Sequence, residues 1–266
     1  MKITIIGAGN MGGAIAKGLA KGSLFASSDI TCTAHTQQTL DSLHNANSDL
    51  RLTLDNVEAV ANADIVVIAV KPWLVESIIE EIRPSLRLDK QIFVSIAAGL
   101  SFETLHSWLL KGAEHSTANP AIFRVIPNTA IEVGSSMTFV AAYHATAEQI
   151  DFILRTFNEL GNAMLIKEEL MQAGTALASC GIAFAFRYIR AAIEGGVELG
   201  FYPAQAQEIV AHTLKGAVDL LLHNGSHPEM EIDKVTTPGG ITIKGINELE
   251  HAGFTSAVIR GLKACK

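Results

Sequence analysis

Cysteine is scarce in this 266-residue chain: Cys32, Cys180 and Cys265 are the whole set, and no CxxC pair occurs among them. So small and dispersed a set argues against a disulfide framework and against a thiolate zinc site. The nine histidines do not fall at ligand spacing either, because Asn224-Gly225 breaks the chain between His223 and His227, so no metal is expected. Runs of Lys or Arg are missing as well. With a net charge of −7 and a pI near 5.7, nucleic acid and anionic membrane surfaces are poor partners. No apolar run is expected to reach transmembrane length, and the first strand follows Met1-Lys2 so closely that no room is left for a secretory leader. The expected compartment is the cytoplasm, with no membrane partner.

What is abundant is apolar surface. Hydrophobic residues make up 48 % of the chain and the mean hydropathy is +0.29, which implies a large core or a large buried interface between subunits. The stretch from Lys2 to Ala20 organises the rest. An apolar strand (Ile3, Ile5, Ile6) runs into Gly7-Ala8-Gly9-Asn10-Met11-Gly12 and then into a helix, which is GxGxxG between a strand and a helix. Gly7 permits the tight turn, Gly9 lets backbone approach a pyrophosphate, and Gly12 lets helix pack on strand. The helix start then offers free N–H groups and the positive end of its dipole to phosphate.

A second strand is expected over 29–34, and NAD-specific sites usually place an acid at its end for the ribose hydroxyls. Here His35-Thr36-Gln37-Gln38 follow, so NADPH is favoured while NADH remains possible; His35 itself can be a ligand or an ordinary loop residue. Further strands are expected at 51–53, 64–70, 91–95, 137–142 and 163–166, with helices opening at Asp55-Asn56 and after Ser101, and a helix over 146–160. The apolar run 64–70 reads as a central parallel strand that ends in Lys71-Pro72. Pro72 suits the first turn of a helix, which leaves Lys71 at the carboxyl edge of the sheet where ligands bind. From Met171 onward only helical periodicity remains, so a boundary is expected near 167–170. Two long helices follow. That over 175–199 is apolar almost all round in its first half, as a helix buried against another subunit would be; that over 203–223 carries Val210, Leu214, Ala217 and Leu221 on one face. Glu229 and Glu231 read as solvated surface.

The segment from Asp233 to Glu250, DKVTTPGGITIKGINELE, is the other unusual stretch. Thr236 and Thr237 precede Pro238-Gly239-Gly240, and Thr242 begins a helix. A glycine pair before a helix start makes a backbone anion site sized for a carboxylate; a plain interhelix turn with Thr as its N-cap fits the same residues.

Together, GAGNMG, DNVEAV, AVKP, RVIPNT and VTTPGGIT resemble Δ1-pyrroline-5-carboxylate reductase over nearly the whole chain. The resemblance implies an α/β N-terminal domain of the doubly wound Rossmann type (1–167) and an all-α C-terminal dimerisation and substrate-binding domain (168–266). It also implies homodimers or rings of dimers such as a decamer, and NAD(P)H-dependent reduction of a cyclic imine to L-proline, the last step of proline biosynthesis. By position it assigns Gly7, Gly9, Asn10, Met11 and Gly12 to the phosphate loop and Asn56 to the ribose. Ala69, Val70 and Lys71 match the segment over the cofactor, with Ala97 and Asn128 at its nicotinamide end. Thr237, Gly239, Gly240 and Thr242 form the substrate site, and Thr242 and Lys71 are the candidate catalytic residues. The family's Ser-Gly-Ser-Gly-Pro is replaced here by Ala178-Ser179-Cys180-Gly181-Ile182, and its Pro by Ala130. That substitution in the substrate wall keeps open reduction of another small cyclic imino or keto acid, and a non-catalytic NADP(H)-binding sensor is the remaining alternative.

Overall fold

A computed structural model describes residues 1–112 and 119–265. The chain divides into two compact units, Met1–Ser179 and Cys180–Lys266. The first contains β1 (Ile3–Ile6), β2 (Ile30–Thr33), β3 (Arg51–Thr53), β4 (Ile65–Ile68), β5 (Ile92–Ser95), β6 (Ala121–Ile126), β7 (Ser136–Tyr143) and β8 (Gly161–Leu165), in the order β3-β2-β1-β4-β5-β6-β7-β8. The pairs from β3 to β6 are parallel, β7 runs antiparallel to β6, and β8 is parallel to β7. Helices α1 (Asn10–Leu19), α2 (Gln37–Ala46), α3 (Asn56–Val60), α4 (Val75–Ile82), α5 (Phe102–Leu110) and α6 (Ala147–Asn158) cover both faces. This is the expected doubly wound sheet.

Burial on both faces explains why β4 is written as an unbroken apolar run. Ile3, Ile5, Ile65, Val67 and Val94 join α1 and α6 in one core, and Ile6, Val66, Ile68 and Phe93 join α4 and α5 in the other. The chain moves outward from β1 to β3 and then restarts at β4 on the other side of β1. That reversal between β1 and β4 is the topological switch point, where such sheets open a crevice at their carboxyl edge.

The apolar pattern gave no clear strand at β6, because Arg124 sits in its middle. All six residues of that strand are nevertheless buried. The guanidinium is neutralised by Glu168, Nη1 to Oε1 at 2.7 Å, and lies 5.9 Å from the Phe102 ring centroid; the same Glu168 oxygen accepts from the Phe102 N–H at 2.7 Å. A paired charge is tolerated in a core where an unpaired one would cost about 3 to 5 kcal/mol.

The helix expected over 175–199 begins earlier and is not uniform. A helical rod spans Glu168–Glu198, built of a short turn, α7 (Met171–Gly174), a wide π-type segment Thr175–Cys180, and α8 (Gly181–Glu198). Met171 is buried in the sheet unit's core, so the part before Ser179 packs with the strands although the last strand has already ended. By length and composition this rod could cross a membrane, since one 18-residue window has mean hydropathy 1.4. The expectation that no run reaches that length is therefore corrected: between Leu170 and Phe186 the rod carries no charge, and its many small residues keep it apolar without a run of large side chains.

In the second unit α8 is followed by α9 (Pro203–Asn224), α10 (Pro228–Val235), α11 (Ile241–His251) and α12 (Phe254–Ala264). Among its described residues only Ile193 and Ala206 are buried apolar side chains, while Phe186, Leu199, Leu222 and Ile241 are exposed. Gly225 ends α9 in the left-handed region (φ 61°), separating His223 from His227 as expected. Glu231 is not solvated surface. Its side chain is 17 % exposed and its Oε1 accepts from Ser226 Oγ at 2.5 Å, Lys234 Nζ at 2.7 Å and Asn224 Nδ2 at 3.3 Å. These donors, Lys234 first, hold its carboxyl down to about 2, so the clasp on the α9 to α10 turn persists until the pH falls that low.

Candidate active site

A cavity of about 730 Å³ opens at the switch point. Gly7, Gly9, Asn10 and Met11 form its floor; Ala69, Val70 and Lys71 line it from the end of β4; Ala97 closes it after β5; His35 and Thr36 stand where β2 ends. Ten of the sequence-derived positions thus share one wall. Gly7 takes φ +89°, and a Cβ there would stand 2.6 Å from Val70 Cγ1, so no other residue fits this turn without displacement. Gly9 is the N-cap of α1 but offers no side chain to cap it, and the first turn contains no acid. The N–H groups of Asn10, Met11 and Gly12 are left without intrahelical partners, the chemistry a pyrophosphate requires.

The remaining assignments lie beside the cavity rather than in its wall. Gly12 is buried under the loop. Asn56 stands one strand away: its Oδ1 accepts from Thr33 Oγ1 at 2.6 Å and its Nδ2 faces both Glu81 oxygens at 3.2 Å. Asn128 uses its side chain on its own turn, accepting from the Ala130 N–H at 3.1 Å, with Nδ2 3.5 Å from the Ala178 carbonyl in the wide segment. Its neighbour Thr129 lines the cavity together with Ile131 and Glu132. Sequence reasoning singled out Asn128 from RVIPNT and passed over Thr129, the last residue of that motif, and the turn it opens.

Lys71 is exposed at the rim, extended ahead of Pro72, and forms no ion pair among the described residues. Thr36 caps α2, its Oγ1 accepting from the Thr39 N–H at 3.4 Å, and the first turn of α2 has no acid. A phosphate on the ribose would meet a helix start rather than a carboxylate there.

In the helical unit, the Gly240 N–H donates to the Thr237 carbonyl at 2.9 Å, closing the turn, and Gly239 takes φ +71°. A Cβ on Gly240 would lie 2.7 Å from Thr237 Oγ1. Gly240, not a threonine, is the N-cap of α11. Thr242 is exposed in the first turn, and its hydroxyl has no hydrogen-bond partner among the described residues. The simple capping role that the sequence left open for Thr242 is therefore excluded.

No group of three or more His, Cys, Asp or Glu side chains converges among the described residues. The family model "Pyrroline-5-carboxylate reductase dimerisation" matches residues 168–266, and "NADP oxidoreductase coenzyme F420-dependent" matches 2–99. The chain is 38 % identical to pyrroline-5-carboxylate reductase 2 of Dictyostelium discoideum, over 98 % of its own length and 89 % of that relative's. This chain belongs to the pyrroline-5-carboxylate reductase family. Pyrroline-5-carboxylate reductase 1 of the same organism is 39 % identical over 98 % of the chain, which spans 48 % of that longer relative. The crystal structure of Plasmodium falciparum pyrroline carboxylate reductase, with NADP bound, superimposes with a TM-score of 0.86 at 26 % identity, covering 100 % of this chain and 95 % of that one. Membership gives the exposed C-terminal helices their meaning: they belong to the family's dimerisation domain.

Proposed function

We propose that this family member reduces 1-pyrroline-5-carboxylate to L-proline with NADPH, the last step of proline biosynthesis, as a cytoplasmic homo-oligomer with no nucleic acid or membrane partner. The observation that carries the reading is the cavity at the switch point, floored by an uncapped helix start and lined by Lys71. When bound, the reduced nicotinamide supplies hydride. Gly7, Gly9, Asn10, Met11 and Gly12 hold its pyrophosphate; His35, Thr36 and Asn56 face its adenosine ribose; Ala69, Val70 and Lys71 lie over the cofactor, with Ala97 and Asn128 at its nicotinamide end. Thr237, Gly239 and Gly240 form the substrate carboxylate site, and Thr242 bonds the ring nitrogen. Lys71, at the end of β4, is the second catalytic candidate. No strong acid is needed, because an imine nitrogen is basic enough to arrive protonated or to take a proton from water, and placement supplies most of the rate.

The helical unit buries so little of its own apolar surface that assembly through α8 and α9 is required for stability, as dimers or as a ring of dimers. The altered segment Ala178 to Ile182 favours, as a second reading, another small cyclic imino or keto acid. Steady-state assay of the purified protein separates the two: pyrroline-5-carboxylate should give the highest kcat/KM, and absence of turnover with it would end the first reading.

Cofactor choice has its own test. Asp is as good an N-cap as Thr, so Thr36→Asp preserves the start of α2 and adds only a charge. The ratio of kcat/KM for NADPH over NADH should fall at least about 10-fold, the cost of facing a 2′-phosphate with a carboxylate. A wild type that already prefers NADH would reverse this assignment.

A further inference from the structure

A side-chain amide has two ends, and its neighbours decide which of them it can offer to a ligand. Asn56 lies between a donor and an acceptor. On one side Thr33, the buried last residue of β2, donates its hydroxyl to Asn56 Oδ1 at 2.6 Å; on the other, both carboxylate oxygens of Glu81 in α4 stand 3.2 Å from Asn56 Nδ2. An ionised carboxylate only accepts, so the group that faces Glu81 is the NH2 and the amide oxygen is left to Thr33. A flipped amide would set its oxygen against the carboxylate, acceptor against acceptor. The two oxygens of one carboxylate also subtend a far smaller angle at Nδ2 than its two N–H bonds do, so one hydrogen serves both oxygens. The second N–H stays free.

We infer that Glu81 and Thr33 are positioning residues that lock the Asn56 amide in one of its two orientations, so that its free N–H is the donor offered to the adenosine ribose of the nicotinamide cofactor. That role rests on the ribose contact proposed for Asn56. The backbone beneath the amide is fixed separately: Asn56 is the first residue of α3, where Asp55 Oδ1 accepts from the Val57 N–H at 2.8 Å and the Glu58 N–H at 2.9 Å. Thr33 also holds the glycine turn, its carbonyl accepting from the Gly7 N–H at 3.1 Å and the Ala8 N–H at 2.7 Å. One residue therefore ties the pyrophosphate loop with its backbone and the ribose contact with its side chain. Glu81 is committed to the same task. Glu80, one position earlier in α4, is paired with Lys111, whereas Glu81 makes no ion pair among the described residues and its side chain bonds only the Asn56 amide.

The test measures NADPH affinity of full-length variants by fluorescence titration, which needs no turnover. Thr33→Val keeps the branched shape and removes the donor, and Glu81→Ala removes the carboxylate; each should weaken NADPH binding about 5-fold, the worth of one orienting hydrogen bond. For Glu81→Ala the sign itself is informative, because taking a negative charge out of the protein would on its own tighten a polyanionic cofactor. Both losses should vanish in an Asn56→Ala background, since neither residue acts on the cofactor except through that amide. With cofactor saturating, kcat and the KM for pyrroline-5-carboxylate should keep their wild-type values in both variants. Tm of Glu81→Ala should move by no more than about 2 °C, as residue 81 is exposed. Three results would overturn the assignment: a Glu81→Ala protein that binds NADPH as well as the wild type or better, a loss that persists in full in the Asn56→Ala background, or an Asn56→Ala protein whose own affinity is unchanged. A wild type that binds NADPH without reducing pyrroline-5-carboxylate would end the proposed reaction instead, and the affinities would still decide the role of Glu81 and Thr33.

Discussion

Gly9→Ala should bind NADPH on the order of 100-fold more weakly while folding as well as the wild type. The two halves of that statement come from different observations. Gly9 lies at φ −71° and ψ −150°, backbone that any residue adopts, and a Cβ built on it meets nothing within 4 Å. The fold therefore does not need this glycine. What needs it is the ligand, because the open space around that Cβ belongs to the cavity that Gly9 lines. A methyl group there holds a pyrophosphate away from the N–H groups of α1, and each charge-assisted bond lost is worth about 1.5 to 3 kcal/mol. Without ligand, Tm should stay level or rise slightly, since alanine restricts the unfolded chain more than glycine does. Gly7→Ala is the contrast: its φ of +89° and the closeness of Val70 Cγ1 should cost stability and binding together. Fluorescence titration with NADPH and thermal unfolding without it make the comparison. Unchanged affinity in Gly9→Ala would place the pyrophosphate elsewhere.

That contrast also shows how far the sequence could be read. The turn from β1 into α1 was legible because its three glycines sit between an apolar strand and a helix, and each element has a local signature. The central strands were legible for the same reason, being buried on both faces and so written as uninterrupted apolar runs. β6 was not, because the ion pair between Arg124 and Glu168 joins residues 44 positions apart, and nothing in a local window neutralises that charge in advance. Glu231 was misjudged for a related reason: three donors close on it only when α9 stops at Gly225 and α10 turns back. Thr129 closes the RVIPNT motif, but Ile131 and Glu132 lie beyond it, in the turn that joins β6 to its antiparallel partner β7, and no motif marks them.

Thr242→Val should lower kcat/KM for pyrroline-5-carboxylate by roughly 10-fold to 150-fold, the worth of a hydrogen bond to a charged group. Valine keeps the branched shape and removes only the hydroxyl. In many helix starts such a change would also remove a cap, but Gly240 occupies that position in α11 and the Thr242 hydroxyl has no partner among the described residues. The variant should therefore unfold at the wild-type temperature, which separates a chemical loss from a structural one. If the bond to the ring nitrogen strengthens as the charge on that nitrogen changes during hydride arrival, kcat should carry much of the loss; if the hydroxyl only positions substrate, KM should. Affinity for NADPH should barely move, because the phosphate loop belongs to the sheet unit and Thr242 to the helical one. Turnover at the wild-type rate would remove Thr242 from the reaction, and a loss confined to NADPH binding would mean that the loop from Thr237 to Thr242 serves the cofactor instead of the imine.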